Sequence, residues 1–277
     1  MIKDVVVNLP IYAKKDVVTR FASSLAGQHG AHIAGVAFRY LPVAPPDVLG
    51  LMDAAFIDDQ QAQAKKLAED AIDRLRFEIK REQVPWASRM IESTVDEAPR
   101  KFAEIARTFD LVVVGQSDPD NPSVDDLIAE AALFESGRPI LLVPYIQTAP
   151  LRTDRVAICW DGGMPAARAA ADAPSLIEKN SEVHLISIHG ERELPKEIEN
   201  GEMTSHLARH GHTVDLHNLT IGNGTDVTST ILNFVADKGI QLLVMGGYGH
   251  SRLREFVLGG ATKGILQSMT VPTLMSH

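Results

Sequence analysis

Hydrophobic and polar positions along the chain fall into two alternating rhythms. Short runs of β-branched and aliphatic residues, such as DVVVNLP at Asp4, DLVVVGQ at Asp110 and QLLVMGG at Gln241, suit strands buried on both faces. Between them lie longer stretches of helical period, such as KFAEIARTF and TILNFVADK. The pattern predicts strands near 4–9, 32–39, 86–92, 110–115 and 139–143, with helices near 14–28, 58–82, 96–108 and 123–136. It then predicts strands near 155–160, 182–188, 212–220, 241–246 and 271–275, with helices near 165–179, 194–210, 225–238 and 260–268. Strands alternating with helices call for parallel pairing through right-handed crossovers.

The second series repeats the first. Asp110 to Pro139 spans 29 residues and Gln241 to Pro272 spans 31, and KDVVVNLP at Lys3 corresponds to DRVAICWDG at Asp154. The fold class expected is α/β, with two tandem doubly wound, Rossmann-like parallel-sheet domains of five strands each, at 1–146 and 154–277. The copies differ by an insertion near 43–60. Val5 to Asp110 spans 105 residues, whereas Val156 to Gln241 spans 85. Pro45 and Pro46 make the insertion's start irregular; a packing element and a ligand lid both fit it.

Composition narrows the choice of partners. With 27 basic against 36 acidic side chains, a net charge of -9, the chain lacks the footprint of a protein that tracks nucleic acid or anionic lipid. It has 45% hydrophobic residues and no run of about 18 apolar ones, so no membrane span is expected. The lone Cys159 forms no internal disulfide, and MIKDVVVNLP is unlike a secretory signal, so a cytoplasmic protein is expected.

The candidate chemistry is concentrated in MGGYGHSRLREFVLGGATKGIL, from Met245 to Leu266. Gly246 and Gly249 follow a buried strand, and nine residues later Gly259 and Gly260 open a helix. A helix start at the carboxyl end of a parallel strand offers free amides to an anion, and glycines let the backbone approach it. Isolated glycines of this kind serve equally as turns and caps; four at these spacings favour a site.

This G-x-x-G, nine residues, G spacing resembles the nucleotide-binding signature of the universal stress protein family. The resemblance extends over the second copy: a first strand ending in Asp161, a second ending in HLISIHG, a fourth reading LLVMG, and a closing VPTLM. Two copies in one chain resemble a tandem member of that family. The resemblance implies an adenine nucleotide (ATP, ADP or AMP, with or without Mg) in the second half. By the same resemblance, Asp161 lies near adenine and ribose, the backbone of Ile188 contacts adenine, and Gly246, Gly249, Gly259 and Gly260 hold ribose and phosphate. Met245, His250 and Ala261 complete the set. One departure is Gly260, where ATP binders of the family carry Ser or Thr; the amide remains but a hydroxyl contact to phosphate is missing. His250, Arg252 and Arg254 add positive charge to the loop or belong to a solvated face, and Tyr248 either stacks on a ligand or shields the loop. The family's pairing mode implies that ILLVP and TVPTLMS join the halves as a pseudo-dimer, with a homodimer of chains as a further option.

The first half reads as degenerate. Pro10 stands where Asp161 stands, and Asp118, Asp120, Asp125 and Asp126 occupy the place of the phosphate loop, with Ser123 and Asp126 in an S-x-x-D helix start. Among the histidines, His206, His210 and His212 could hold a metal, with His184, His189 and His217 nearby, but no recognised motif ties a carboxylate or cysteine to them, so surface or packing roles are expected. Trp160 borders the adenine pocket or packs in the core, the latter being favoured, and Cys159 is expected to be a core thiol. Walker, G-x-G-x-x-G, S-G-G-x-D-S and G-x-S-x-G patterns are absent. The expectation is a stress-response regulatory module that binds rather than turns over its nucleotide. A nucleotide-independent interaction protein and, more weakly, a slow ATP hydrolase are the alternatives.

Overall fold

The computed structural model describes residues 1–13, 15–41, 54–118, 120, 123–189, 200–222, 224–247 and 260–277. The first half runs β1 (Asp4–Asn8), α1 (Val17–His29), β2 (His32–Tyr40), α2 (Ala54–Glu82), β3 (Trp86–Ser93), α3 (Ala98–Ala106), β4 (Leu111–Gly115), α4 (Asp125–Glu135) and β5 (Ile140–Val143). The second runs β6 (Arg155–Cys159), α5 (Met164–Asp172), β7 (Glu182–His189), α6 (Asn200–Arg209), β8 (Thr213–Thr220), α7 (Val227–Lys238), β9 (Leu242–Gly246), α8 (Gly260–Ser268) and β10 (Thr273–Ser276). The strand and helix series expected from the hydrophobic pattern is therefore present in both halves, except that residues 194–199 of the helix expected over 194–210 lie outside the described residues.

All ten strands share one sheet, in the order β3-β2-β1-β4-β5-β10-β9-β6-β7-β8. Neighbours within each half run parallel, whereas β5 and β10 pair antiparallel, with Leu141 opposite Leu274. The two halves thus form one sheet, and the carboxyl ends of their strands lie on opposite edges of it.

The period-2 alternation of the strands builds a core on each face. Val5, Val7, Val156, Ile158 and Leu274 pack with α1, α2, α5 and α6 through Leu25, Leu75, Ala169 and Leu207. Val6, Val112, Leu142, Leu243 and Met275 pack on the other face with α3, α4, α7 and α8 through Phe102, Ile128, Val235 and Ile265. Helix starts follow local chemistry: Asp16 accepts from Thr19 N at 2.9 Å before α1, and Asp226 from Ser229 N at 2.7 Å before α7.

Two local expectations need correction. The helix expected over 165–179 stops at Asp172 and tightens into a single 3-10 turn, Ala173–Ser175. Pro174 has no amide to continue the α-helical hydrogen bonding, and Ala173 before it keeps helical backbone, so the chain tightens instead of turning away. Ser123 and Asp126 do not form a reciprocal capping box either. Ser123 Oγ accepts from Asp125 N at 3.2 Å, while Asp126 Oδ1 accepts from Ser117 N at 3.4 Å, tying the helix start to the end of β4. Of the insertion near 43–60, residues 42–53 lie outside the described residues. The rest begins α2, which is moored to the β1 exit by Arg74, whose Nε donates to Asp16 at 2.8 Å and whose Nη2 donates to Pro10 O at 2.6 Å.

The β5–β10 seam supplies a stability test. Leu141 is fully buried there, so Leu141→Ala is expected to cost about 2–5 kcal/mol. The loss should appear as a lower urea midpoint at unchanged m-value. A loss below about 1 kcal/mol would show that the seam is not part of the core.

Candidate functional site

In the second half the chain winds outward from β6 through β7 to β8, then crosses back to β9 on the other side of β6. The strand order reverses between β6 and β9, and a doubly wound sheet opens a crevice outside the carboxyl ends at such a point. Asp161 leaves β6 there, Gly246 ends β9, and Ile188 lies near the end of the neighbouring β7. Gly260 is exposed as the first residue of α8, with half-buried Ala261 behind it. Gly249, His250 and Gly259 lie outside the described residues, as do Tyr248, Arg252 and Arg254.

Each described position has a definite local environment. Asp161 is exposed, and its Oδ1 accepts from Gly163 N at 2.8 Å, which leaves Oδ2 outward-facing chemistry for an amino or hydroxyl donor. The Met245 side chain is buried in the core, so only its backbone could meet a ligand. Ile188 packs partly buried against the same core. At Gly246 an added Cβ would lie 2.5 Å from Ala166 N and 2.6 Å from Pro165 C, so glycine is required where β9 meets the start of α5. At Gly260 an added Cβ would meet nothing within 4 Å.

The flanking residues fall as the sequence favoured. Trp160 is 9% exposed and belongs to the core. The Cys159 thiol is pushed up to about 12, first by burial and then by the nearby Asp161 carboxylate, so it is no thiolate nucleophile at neutral pH.

The corresponding point of the first half lies between β1 and β4. Leu9 N donates to Val36 O as Trp160 N donates to Ile186 O, which puts Pro10 in the place of Asp161. A cavity of about 630 Å³ opens here, and sequence reasoning, which dwelt on what this half lacks, missed it. Its walls include Asn8, Phe38, Tyr12, Tyr40, Gln116 and Asp125. Tyr12 and Tyr40 stack at 6.5 Å between centroids and 11° between planes. Asp125 accepts from Asn8 Nδ2 at 2.8 Å and from Ser123 Oγ at 2.6 Å. Burial raises its carboxyl above the ordinary value, against the lowering effect of those two bonds. Burial, and then the Asp125 charge, push the Tyr40 hydroxyl upward as well. Asp118 and Asp120 also line the cavity. Such a surface suits neutral or hydrogen-bond-donating groups and disfavours phosphate. The available sequence signal was positional: Tyr40 closes β2 and Asn8 closes β1, both at carboxyl ends.

The histidines sort differently from their sequence grouping. His206, on α6, and His210, just past its end, meet edge-on with centroids 4.8 Å apart, and His212 is separately buried. Among the described residues, the set that gathers donor atoms within 4.8 Å of one another is His184, Asp215 and His217. Its members lie on adjacent strands, and strand register is what a search for helical spacing cannot supply.

These features define a duplicated, Rossmann-like α/β protein with a topological switch point in each half and a cavity at that of the first. Residues 153–277 match the family model described as Universal stress protein family. A curated universal stress protein of Synechocystis sp. is 29% identical over 93 residues, which are 33% of this chain and 31% of that relative, so the match spans about a third of the relative's length. The crystal structure of a universal stress protein from Archaeoglobus fulgidus superposes with a TM-score of 0.72, covering 99% of this chain and 95% of that one at 15% identity. A putative universal stress protein from Pseudomonas aeruginosa gives 0.61, covering 99% and 93% at 14% identity. At these identities the structural likenesses establish the fold. The second half of the chain is thus similar to the universal stress protein family, and the whole chain shares the fold of universal stress proteins of known structure. No helix among the described residues is long and apolar enough to cross a membrane.

The two glycines that can be described predict opposite mutational behaviour. Gly246→Ala should cost about 1–3 kcal/mol, because the new methyl meets backbone. Gly260→Ala should cost nothing, and helix propensity would favour it by up to about 1 kcal/mol. Thermal melts of the two variants check both, and equal destabilisation would refute the assignment of the close contact to Gly246 alone.

Proposed function

We propose that the second half binds an adenine nucleotide, ATP, ADP or AMP, and that the protein acts as a cytoplasmic stress-response module whose state depends on occupancy. The observation that carries this reading is the convergence of Asp161, Ile188 and Gly246 on the β6–β9 switch point of a domain matched by the universal stress protein family. Asp161 would accept hydrogen bonds from the adenosine moiety, the β7 backbone near Ile188 would meet adenine, and the amides beginning at Gly246 and resuming at Gly259, Gly260 and Ala261 would hold phosphates. Open space at Gly260 leaves room for a phosphate to approach the α8 amides. Mg would enter as the counterion of those phosphates.

The division into a degenerate unit at 1–146 and a nucleotide-binding unit at 154–277 is part of the proposal. So is the reading of the β5–β10 pairing as the contact of a dimer built within one chain. The acidic lining of the first-half cavity supports a single nucleotide site, in the second half. Binding without turnover is the mechanism proposed, with a shift between conformations as its output. A nucleotide-independent interaction protein is the second reading, favoured by the fact that Gly246 has a packing role whether or not a ligand binds.

The test is to denature freshly purified protein, identify released small molecules by mass spectrometry, and titrate ATP and AMP against wild type and Gly259→Glu. Co-purified or titratable nucleotide that is lost in the variant is expected. Absence of both up to millimolar concentration would establish the second reading. Gly260→Ser, which restores a hydroxyl at the helix start, is expected to tighten ATP more than AMP. ATP hydrolysis abolished in Gly259→Glu would instead reveal a slow hydrolase.

A further inference from the structure

Three side chains on β7 and β8 are placed like the ligands of a metal ion. β8 is an edge strand of the sheet, and its register with β7 puts Asp215 opposite His184 and His217 opposite Ile186. Residues two apart on a strand share a face, and paired residues of neighbouring parallel strands do too, so all three lie on one face. His184 Nδ1 lies 3.0 Å from His217 Nε2. A carboxylate oxygen of Asp215 lies within 4.8 Å of both ring nitrogens.

We propose that His184, His217 and Asp215 form a binding site for a divalent transition metal of the zinc class, which links the edge strand β8 to β7. Two nitrogens held at about 2.0–2.1 Å on a tetrahedral ion are about 3.3 Å apart, so the histidine pair needs to open by only a few tenths of an ångström. Two imidazoles and a carboxylate suit zinc, nickel or copper rather than calcium or magnesium. They leave a fourth position for water.

The surroundings hold the ligands in that arrangement. The Phe234 ring packs edge-on against both imidazoles, at 5.9 Å and 73° to His184 and at 4.8 Å and 63° to His217. His184 is 3% exposed, and its Nε2 is buried without a hydrogen bond of good geometry. Glu182 Oε1 lies 3.3 Å from that nitrogen. A carboxylate there favours the tautomer with the proton on Nε2, which leaves Nδ1 bare for the metal, as metal-bound histidines ordinarily require. In the metal-free protein that bare Nδ1 accepts the Nε2 proton of His217. Metal binding replaces this shared proton, which moves to Nδ1 of the same His217 ring, so both rings stay neutral. Burial is the main influence lowering the pKa of each imidazole. Lys238 also lowers both, and its charge opposes a cation; Asp215 and Glu182 supply the compensating negative charge. Asp215 is exposed and His217 half-buried, so the site opens to solvent on its outer side.

The experiment uses the untagged full-length chain without nucleotide, titrated with Zn²⁺ by calorimetry and, in parallel, with Co²⁺ by visible absorption. Wild type should bind one ion per chain, melt at higher temperature with Zn²⁺ present, and give the absorption of low-coordinate Co²⁺. His217→Ala and Asp215→Asn should each weaken binding by at least about tenfold, and Glu182→Ala by about tenfold without removing a ligand. Far-UV circular dichroism of each variant separates lost ligation from lost folding. Because His206 and His210 form a competing pair at the end of α6, His210→Ala serves as the control and should bind as wild type does. No binding by wild type, binding unchanged in folded His217→Ala, or loss in His210→Ala instead would overturn the proposal. None of these outcomes bears on the nucleotide reading, which is tested without added metal through AMP.

Discussion

The antiparallel pairing of β5 with β10 is the contact from which the rest of the arrangement follows. It is short, with three residue pairs in register between Ile140–Leu142 and Thr273–Met275, yet it completes the hydrogen bonding of two strands that would otherwise be exposed edges. Leu141 and Leu274 on one face, and Leu142 and Met275 on the other, continue the cores across it. Side chains on either side reinforce the join: Gln116 Nε2 donates to Leu266 O at 3.1 Å, and Phe134 meets His277 edge-on at 4.9 Å. At Gly247 an added Cβ would lie 2.7 Å from Leu133, so one half closes against the other where a side chain would intrude. The edges left over are β3 and β8, whose exposed polar positions discourage further pairing.

Once the seam is antiparallel, the two crevices must open on opposite edges of the sheet. Each is then shaped by its own loops, and duplication need not mean duplicated chemistry. In the second half the described strand ends carry small residues, Gly162 and Gly163 after β6 and Gly246 and Gly247 at β9. In the first, Tyr12, Tyr40 and Phe38 fill the equivalent region with rings, and Asp125 is held by Asn8 and Ser123. A carboxylate bound in this way by two neutral donors costs less to bury than a free one, so the acidic crevice is stable without a cation.

Much of this was legible in the chain because the inner strands are buried on both faces and several of them end at glycine or proline. Runs such as LVVVG and LLVMG leave little choice of conformation, and their repetition gives the duplication directly. The helix after β6 was read too long because its alanines satisfy helical period across Pro174, and period alone does not register a missing amide. Asp161 and Gly246 could be placed at strand ends from spacing. That Gly246 touches the backbone of α5 could not, since the contact joins elements 80 residues apart. The first-half cavity and the His184–His217 contact escaped for the same reason: both depend on the register of neighbouring strands, and Asp215 has no sequence neighbour that would mark it as a ligand.

The opposed edges also separate the acidic crevice of the first half from the anion site proposed for the second. By count, residues 1–150 carry 16 basic and 22 acidic side chains, a net of -6, and the remaining residues carry 11 and 14, a net of -3. If the two crevices shared an edge, Asp118, Asp120 and Asp125 would repel a phosphate at its neighbour. Across a sheet whose inner strands are about five residues, or roughly 17 Å, long, they lie about two Debye lengths from the other edge at physiological ionic strength. Screening at that distance weakens the solvent-facing Asp120 most and the buried Asp125 least. The acidic surplus of the first half is therefore a local property of its own crevice, and the seam that reverses strand direction is what keeps it local.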